Sequence, residues 1–320
     1  TGPKTNFANS ILISGDAGTG TLNSADGNTG VGTGVFGALT TGDQNVAVGL
    51  NALDINTTGS NNIAIGALSL DANTTGACNV GIGTGALGAN TEGSINTVVG
   101  FRAADSTTTG ARNTIFGADA YRCNTTSSDN TAFGYQTLEK LTVGDDNVAI
   151  GYQALKNLGT STHANRNIAI GTYALLSAAN NNINDNIAIG FGALSQSVHS
   201  DGDNNVAIGT NAMSDLTAGA WGNVAIGEGS LRRTNHADSA GSTAVGYFAL
   251  NANVSGIGNV AVGFSALKVE DDGDHNTAIG YEALKAQTGT SGIVGNTAVG
   301  YEAGIKITTG KNNTVLGSQA

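Results

Sequence analysis

His163, His199, His236 and His275 are the side chains that would move protons near neutral pH. Three of them fall in polar turns, all four lie in different segments, and none has a Ser or Cys placed to make a nucleophile–base pair. General acid–base catalysis needs convergent groups held within reach of one another, so these histidines read as solvated turn residues and the chain as no enzyme. Two GxGxxG matches, Gly32-Gly34-Gly37 and Gly83-Gly85-Gly88, lack the long following helix that a dinucleotide loop requires.

The other chemistry on offer is binding. The acidic turns 144–146, 200–203 and 271–274 offer the oxygen ligands that suit calcium, but match neither an EF-hand nor the nonapeptide calcium repeat. Solvated turns are the simpler reading, and no other cofactor is expected. Cys78 and Cys123 are too few for a disulfide framework or a zinc cluster. Tyr135, Tyr152, Tyr281 and Tyr301 recur at one place in a repeat, with Tyr247, Phe101, Phe191 and Phe264, as a broken aromatic column that would stack on sugars or pack on neighbouring coils or subunits.

What positions all of these is the repeat itself. Nine-residue phrases such as "NVAIGYQAL" (147–155), "NIAIGTYAL" (167–175) and "NTAIGYEAL" (276–284) divide the chain into 18 units starting at Ile11, with 11 of 17 intervals being 17 residues and the rest 18 to 20. Counting the Asn as position zero, Gly stands at position four throughout, from Gly15 to Gly317, and includes Gly151, Gly171, Gly190, Gly209 and Gly280; this marks a corner where a Cβ is not tolerated. Positions one and three are almost always Thr or apolar, which is strand spacing, and Ala-Leu at seven and eight suggests a second short strand. The Asn/Thr/Asp/Gly stretch that follows is a turn.

A unit this small cannot bury enough surface to fold alone, so the units must stack. The reading is an all-β parallel β-solenoid, with residues 1–10 as lead-in and 11–320 as one repeat domain on the order of 80 Å long at about 4.8 Å per coil. Asn at position zero, including Asn147, Asn167, Asn186, Asn205 and Asn276, would form a ladder, since its amide both donates and accepts. Position two is Ala in 12 units and never polar. It therefore reads as a second apolar face covered by parallel copies of the chain, unless Ala merely fills a narrow coil interior.

With 13 basic and 24 acidic residues, a net charge of -11 would repel nucleic-acid phosphates. No apolar run approaches the roughly 20 residues that span a bilayer. The beginning "TGPKTNFANS" has neither a signal peptide's apolar core nor an initiator Met, and Ala320 stops at position seven of the last unit, so the native chain is expected to continue. All five intervals from Asn147 to Ser242 exceed 17 residues. Loops carry recognition, so His163, His199, Trp221, Arg232 and Arg233 are the candidate receptor contacts in these enlarged turns.

The phrases "NTAIG", "NVAIG" and "NIAIG" resemble the head repeats of YadA-like trimeric autotransporter adhesins, and the longer "NTAIGYEAL…TTG" form resembles repeats of bacteriophage tail-fibre proteins. The resemblance covers residues 11–320 and implies a left-handed parallel β-roll assembled as a homotrimer on a virion or bacterial surface. It implies that Val148 and Ile150, Ile168 and Ile170, and Thr277 and Ile279 face inward. The coil here is longer than in the adhesin heads, and no stalk, anchor or chaperone domain accompanies it. The expected function is an extracellular tail-fibre shaft or receptor-binding segment that contacts a host glycan or protein. A bacterial adhesin or filament subunit is the alternative. An ice-binding solenoid is weakened by Thr at position one in only eight units, and a glycan-cleaving enzyme is the remaining reading.

Overall fold

The computed structural model describes residues 7–14, 24–158, 163–178, 183–196, 202–216, 220–234, 239–289 and 291–320. Among them there is no helix, and the chain is a parallel β-solenoid of about 16 turns. Its contacts fall into two compact units, Thr1–Tyr152 and Gln153–Ala320.

In the first unit each coil contributes one three-residue strand. The ladder runs from Ile11–Ile13 through Thr29–Val31 and Val46–Val48 to Val148–Ile150, every strand pairing in parallel with its successor. In the second unit an equivalent ladder runs from Ile168–Ile170 to Thr314–Leu316. Like residues are in register, as in Ile187↔Val206, Ala188↔Ala207 and Ile189↔Ile208. Turns of the second unit add two-residue ladders, such as Ala164–Asn165 with Ile183–Asn184 and Gly273–Asp274 with Gly292–Ile293.

Register corrects the frame of the first unit. Ile11 pairs with Thr29 and Ile13 with Val31, so Ser10 stands at position zero and Ser14, not Gly15, at position four. Ser10 Oγ accepts the Asn28 N–H at 2.8 Å, the bond an Asn makes elsewhere. Residues 7–8 of the lead-in pair with Ala25–Asp26.

A larger correction concerns which face is inside. Ala149, Ala169 and Ala278 at position two have no exposed surface, while Ile150 is 38% and Ile279 40% exposed, and Val148, Ile168, Ile170 and Thr277 are half-buried. Positions one and three therefore face outward. Alternation along a strand forces one choice or the other, and Ala at position two leaves room inside the coil for the Leu at position eight. Volume is traded in two coils, whereas the coil starting at Asn113 buries both Ile115 and Tyr121. Gly30 stands where its coil carries the larger Phe36, whose Cε2 would meet a Gly30 Cβ at 2.9 Å, and Val98 stands where its coil carries the smaller Ala104.

Positions seven and eight form no second strand. Buried Leu residues there, Leu53, Leu70, Leu87 and Leu155 among them, have φ of 51 to 54° and lie in turns. Left-handed backbone costs an L-residue about 1 kcal/mol, offset here by complete burial of the side chain and by coil-to-coil bonds such as Leu70 N–H to Ala86 O at 3.0 Å.

Candidate functional site

The outer surface is built from columns of equivalent residues one rung apart. Their support begins at the Asn ladder. Asn45 donates its backbone N–H and its Nδ2 to Asn28 Oδ1 at 2.9 and 3.0 Å, and Nδ2 also to Gly59 O at 2.9 Å. Asn147 repeats the pair to Asn130 Oδ1, Asn186 to Asn167, Asn205 to Asn186 and Asn276 to Asn259. All five Asn singled out from the sequence are buried. Ser242 substitutes with its hydroxyl, which accepts the Asn259 N–H.

A second ladder, Asn56, Asn73 and Asn90, also repeats every 17 residues; Asn90 Nδ2 donates to Asn73 Oδ1 and Asn73 Nδ2 to Asn56 Oδ1, both at 2.8 Å. Its period was visible in the sequence, masked by the Asn-rich turns around it. Glu270 and Gln287 occupy the same position further on, where buried Glu270 accepts N–H bonds from Gly273 and Gly289 and an Nε2 bond from Gln287.

Gly151, Gly171, Gly190, Gly209 and Gly280 form the corner, with φ between 127° and 136°. Two barriers exclude other residues: L side chains avoid this region, and a Cβ at Gly190 would lie 2.6 Å from Gly209 O on the next coil.

The acidic turns spend their oxygens on neighbouring coils. Asp145 Oδ1 accepts Ser128 N–H, Asp203 Oδ1 accepts Asn184 N–H, Asp274 Oδ1 accepts Ile257 N–H and Asp272 Oδ1 accepts the Ser255 hydroxyl. Ser60 Oγ does the same for Asp43 N–H, so a hydroxyl or a carboxylate serves equally. Among the described residues no group of three or more His, Cys, Asp or Glu is arranged to hold a metal ion. Ser200 and Asp201 lie outside the described residues.

Two arginines on the outer columns pair from coil to coil. Arg112 and Arg166 each reach the Asp of the next coil, Asp129 and Asp185, at 2.7 Å, and those guanidinium bonds hold both carboxyls below the usual range. Asp71 is the contrast. Burial raises its pKa and the charge of Asp54, one rung away, adds to the rise. Burial also pushes the Tyr121 phenol well up; its hydroxyl accepts from Asn130 Nδ2 at 2.7 Å inside the coil.

The receptor-contact candidates are spread around the coil. Trp221, 55% exposed, stands two residues before Asn223, while Arg232 and exposed Arg233 stand nine and ten after it, beyond strand Val224–Ile226 and the Gly227 corner. Arg232 approaches Asp215 at 3.5 Å. His163 is exposed in the turn before Asn167, and His199 lies outside the described residues. Cys78 and Cys123 are both free thiols.

The aromatic column is where ring geometry decides what can bind. Tyr247, Phe264, Tyr281 and Tyr301 stack at 5.2, 5.2 and 5.3 Å with planes within 12° of parallel, and Tyr135 stacks on Tyr152 at 5.8 Å. Stacked rings cover one another's faces, so sugar stacking is left only to the ends of each run. Glycines interrupt the columns elsewhere. Gly85 and Gly88, from one of the GxGxxG matches, open a notch of about 360 Å³ bounded by Leu68, Asp71, Phe101, Arg102 and Asp105. Gly192 opens another of about 440 Å³ in the second unit, beside Tyr173 and Phe191. No helix among the described residues is long and apolar enough to cross a membrane. Set against protein-family models, curated proteins and solved structures, the chain matches none of them.

Proposed function

We propose that this chain is a non-enzymatic extracellular fibre segment, the shaft or receptor-binding part of a phage tail fibre, wound as 18 left-handed coils and assembled as a parallel homotrimer. The observation that carries this reading is the outward sheet face. Ile63, Ile65, Ile150, Ile226 and Ile279 are each 36 to 40% exposed in columns of Val, Ile and Thr. Contiguous exposed apolar surface of this kind marks an interaction site. Because the columns repeat at the rung spacing within each unit, a copy of the same chain laid parallel offers each unit matching columns, as closed symmetric assemblies require. The corrected orientation moves the contact from the Ala column to the Val/Ile columns and supports association on better grounds, since branched side chains bury more area than Ala.

Mass measurement tests the assembly. Light scattering on the purified chain at micromolar concentration should give about three times 31.7 kDa. A monomer mass at that concentration sinks the trimer. Retention of the labelled protein on intact bacterial cells tests the attachment role.

A further inference from the structure

We propose that the Gly192 notch is a binding subsite for a neutral pyranose sugar, a reading that rests on the extracellular attachment role. Register places the coil starting at Asn186 between those starting at Asn167 and Asn205. At position six the three coils carry Tyr173, Gly192 and Asn211, so one side chain is missing from the middle of the column. At position five they carry Thr172, Phe191 and Thr210. Phe191, 51% exposed, therefore has short side chains on both sides in its own column, where Phe264 and Tyr281 have rings. Among the described residues Tyr173 meets the Phe191 ring at 5.9 Å and 74°, in an edge contact that does not close it into a stack.

Polar groups converge on the space the glycine leaves. A Cβ built at Gly192 would lie 2.6 Å from Asn211 Oδ1 and 3.9 Å from Ser195 Oγ, and Gln196 completes the rim. The cavity, about 440 Å³, is within the range of ligand clefts, and among the described residues no carboxylate or cationic side chain lines it. That lining selects the ligand. A pyranose turns one face of C–H bonds to the electron-rich face of an aromatic ring, while its hydroxyls exchange bonds with amide and hydroxyl groups that both donate and accept. An anionic sugar or a phosphate would find no cation among the described lining residues, and a flat apolar ligand would offer nothing to Asn211 Oδ1; the Ser195 hydroxyl donates to Ser214 O at 3.4 Å and keeps its oxygen as an acceptor.

The chain supplies its own substitutions for a test. Gln136 and Gln153 occupy position six with φ of 55°, close to the 63° of Gly192, and Ala67 and Ala118 occupy position five. Phe191→Ala therefore introduces a residue type this position already takes, and Gly192→Gln keeps a backbone that Gln already adopts, its Cβ pushing the end of the flexible Asn211 side chain aside. Saturation-transfer difference NMR would be recorded on the full 320-residue protein with glucose, galactose, mannose, N-acetylglucosamine, lactose and maltose. At least one sugar should receive saturation on the protons of a single ring face. Gly192→Gln and Phe191→Ala should each weaken that binding about tenfold, the upper range for losing one aromatic contact, while Tyr281→Ala leaves it unchanged. Absence of transfer to every sugar at millimolar concentration overturns the proposal, as does binding that persists in Gly192→Gln or is lost in Tyr281→Ala. The trimer mass is measured without sugar, so failure of the subsite and failure of the assembly are told apart.

Discussion

Ile187, Ala188 and Ile189 form one strand, and the two faces of that strand live under different rules. Ala188 has no exposed surface and sits under the same residue type in the coils on either side, Ala169 and Ala207. Ile187 and Ile189 are half-buried and pair along their columns with Ile168 and Val206, and with Ile170 and Ile208. Both faces are apolar, yet the inner one is limited by volume and the outer one is not. Size, with polarity equal, sorts the side chains. In this rung, as in most, the interior takes the methyl group and the branched residues face out; Val98 and Ile115 are the buried branched exceptions.

The sharpest way to break this rung is at its corner. Gly190→Val should destabilise the second unit by about 4 kcal/mol, because it combines a φ of 132° with a Cβ 2.6 Å from a backbone oxygen that cannot move without shifting the next coil. Loss of the chaotrope-unfolding transition, or its shift to much lower denaturant, is the readout. A variant of wild-type midpoint would mean the corner relaxes freely.

Next comes the interior. Ala188→Leu should cost about 3 kcal/mol through overpacking, the upper end for inserting methylenes into a filled core. The same change at Ile187 should cost far less. Equal effects at the two sites would erase the inner–outer distinction.

Asn186→Ala is expected to cost about 2 kcal/mol. It removes the Oδ1 that accepts the N–H and Nδ2 of Asn205; the Asn205 N–H is left buried without a partner, while Nδ2 keeps its bond to Ala220 O at 2.9 Å. Asn186→Ser should recover part of that loss, since Ser242 fills the same place natively with its hydroxyl accepting the next coil's N–H. Unfolding midpoints of the two variants provide the check, and a Ser variant no better than Ala would show that the N–H bond matters less than the amide-to-amide one.

The sequence carried the period, the corner glycines and the Asn column openly, because each depends on a residue type with a backbone or hydrogen-bonding property no other shares. It was silent on the inward face. In Val148-Ala149-Ile150 nothing is polar, so alternation exists without a label saying which side is wet, and only the width of the finished coil supplies it. The frame of the first unit failed where its one unmistakable sign, Asn, was missing; Gly15 then drew the alignment one residue too far, although Ser10 was available to accept the bond. The left-handed Leu residues were hidden because burial overrides backbone preference there. The notch was hidden for a different reason: Gly192 looks like any turn glycine until Asn211 is seen one rung on in its own column and Phe191 on the adjacent one.

The smallest expected effect probes the outer face. Ile187→Thr should change the stability of a dissociated chain by less than about 0.5 kcal/mol, the usual range for surface substitutions, since Thr keeps the β-branch and already stands at position one in Thr277 and Thr297. If copies of the chain cover that face, the same substitution acts differently at high protein concentration. Losing buried apolar area on every subunit of the assembly multiplies a small cost by the number of copies, so the unfolding midpoint should fall with dilution in the wild type and become less dependent on concentration in the variant. A midpoint independent of concentration in both would leave the Val and Ile columns facing water, and the branched side chains would then owe their place to strand propensity alone.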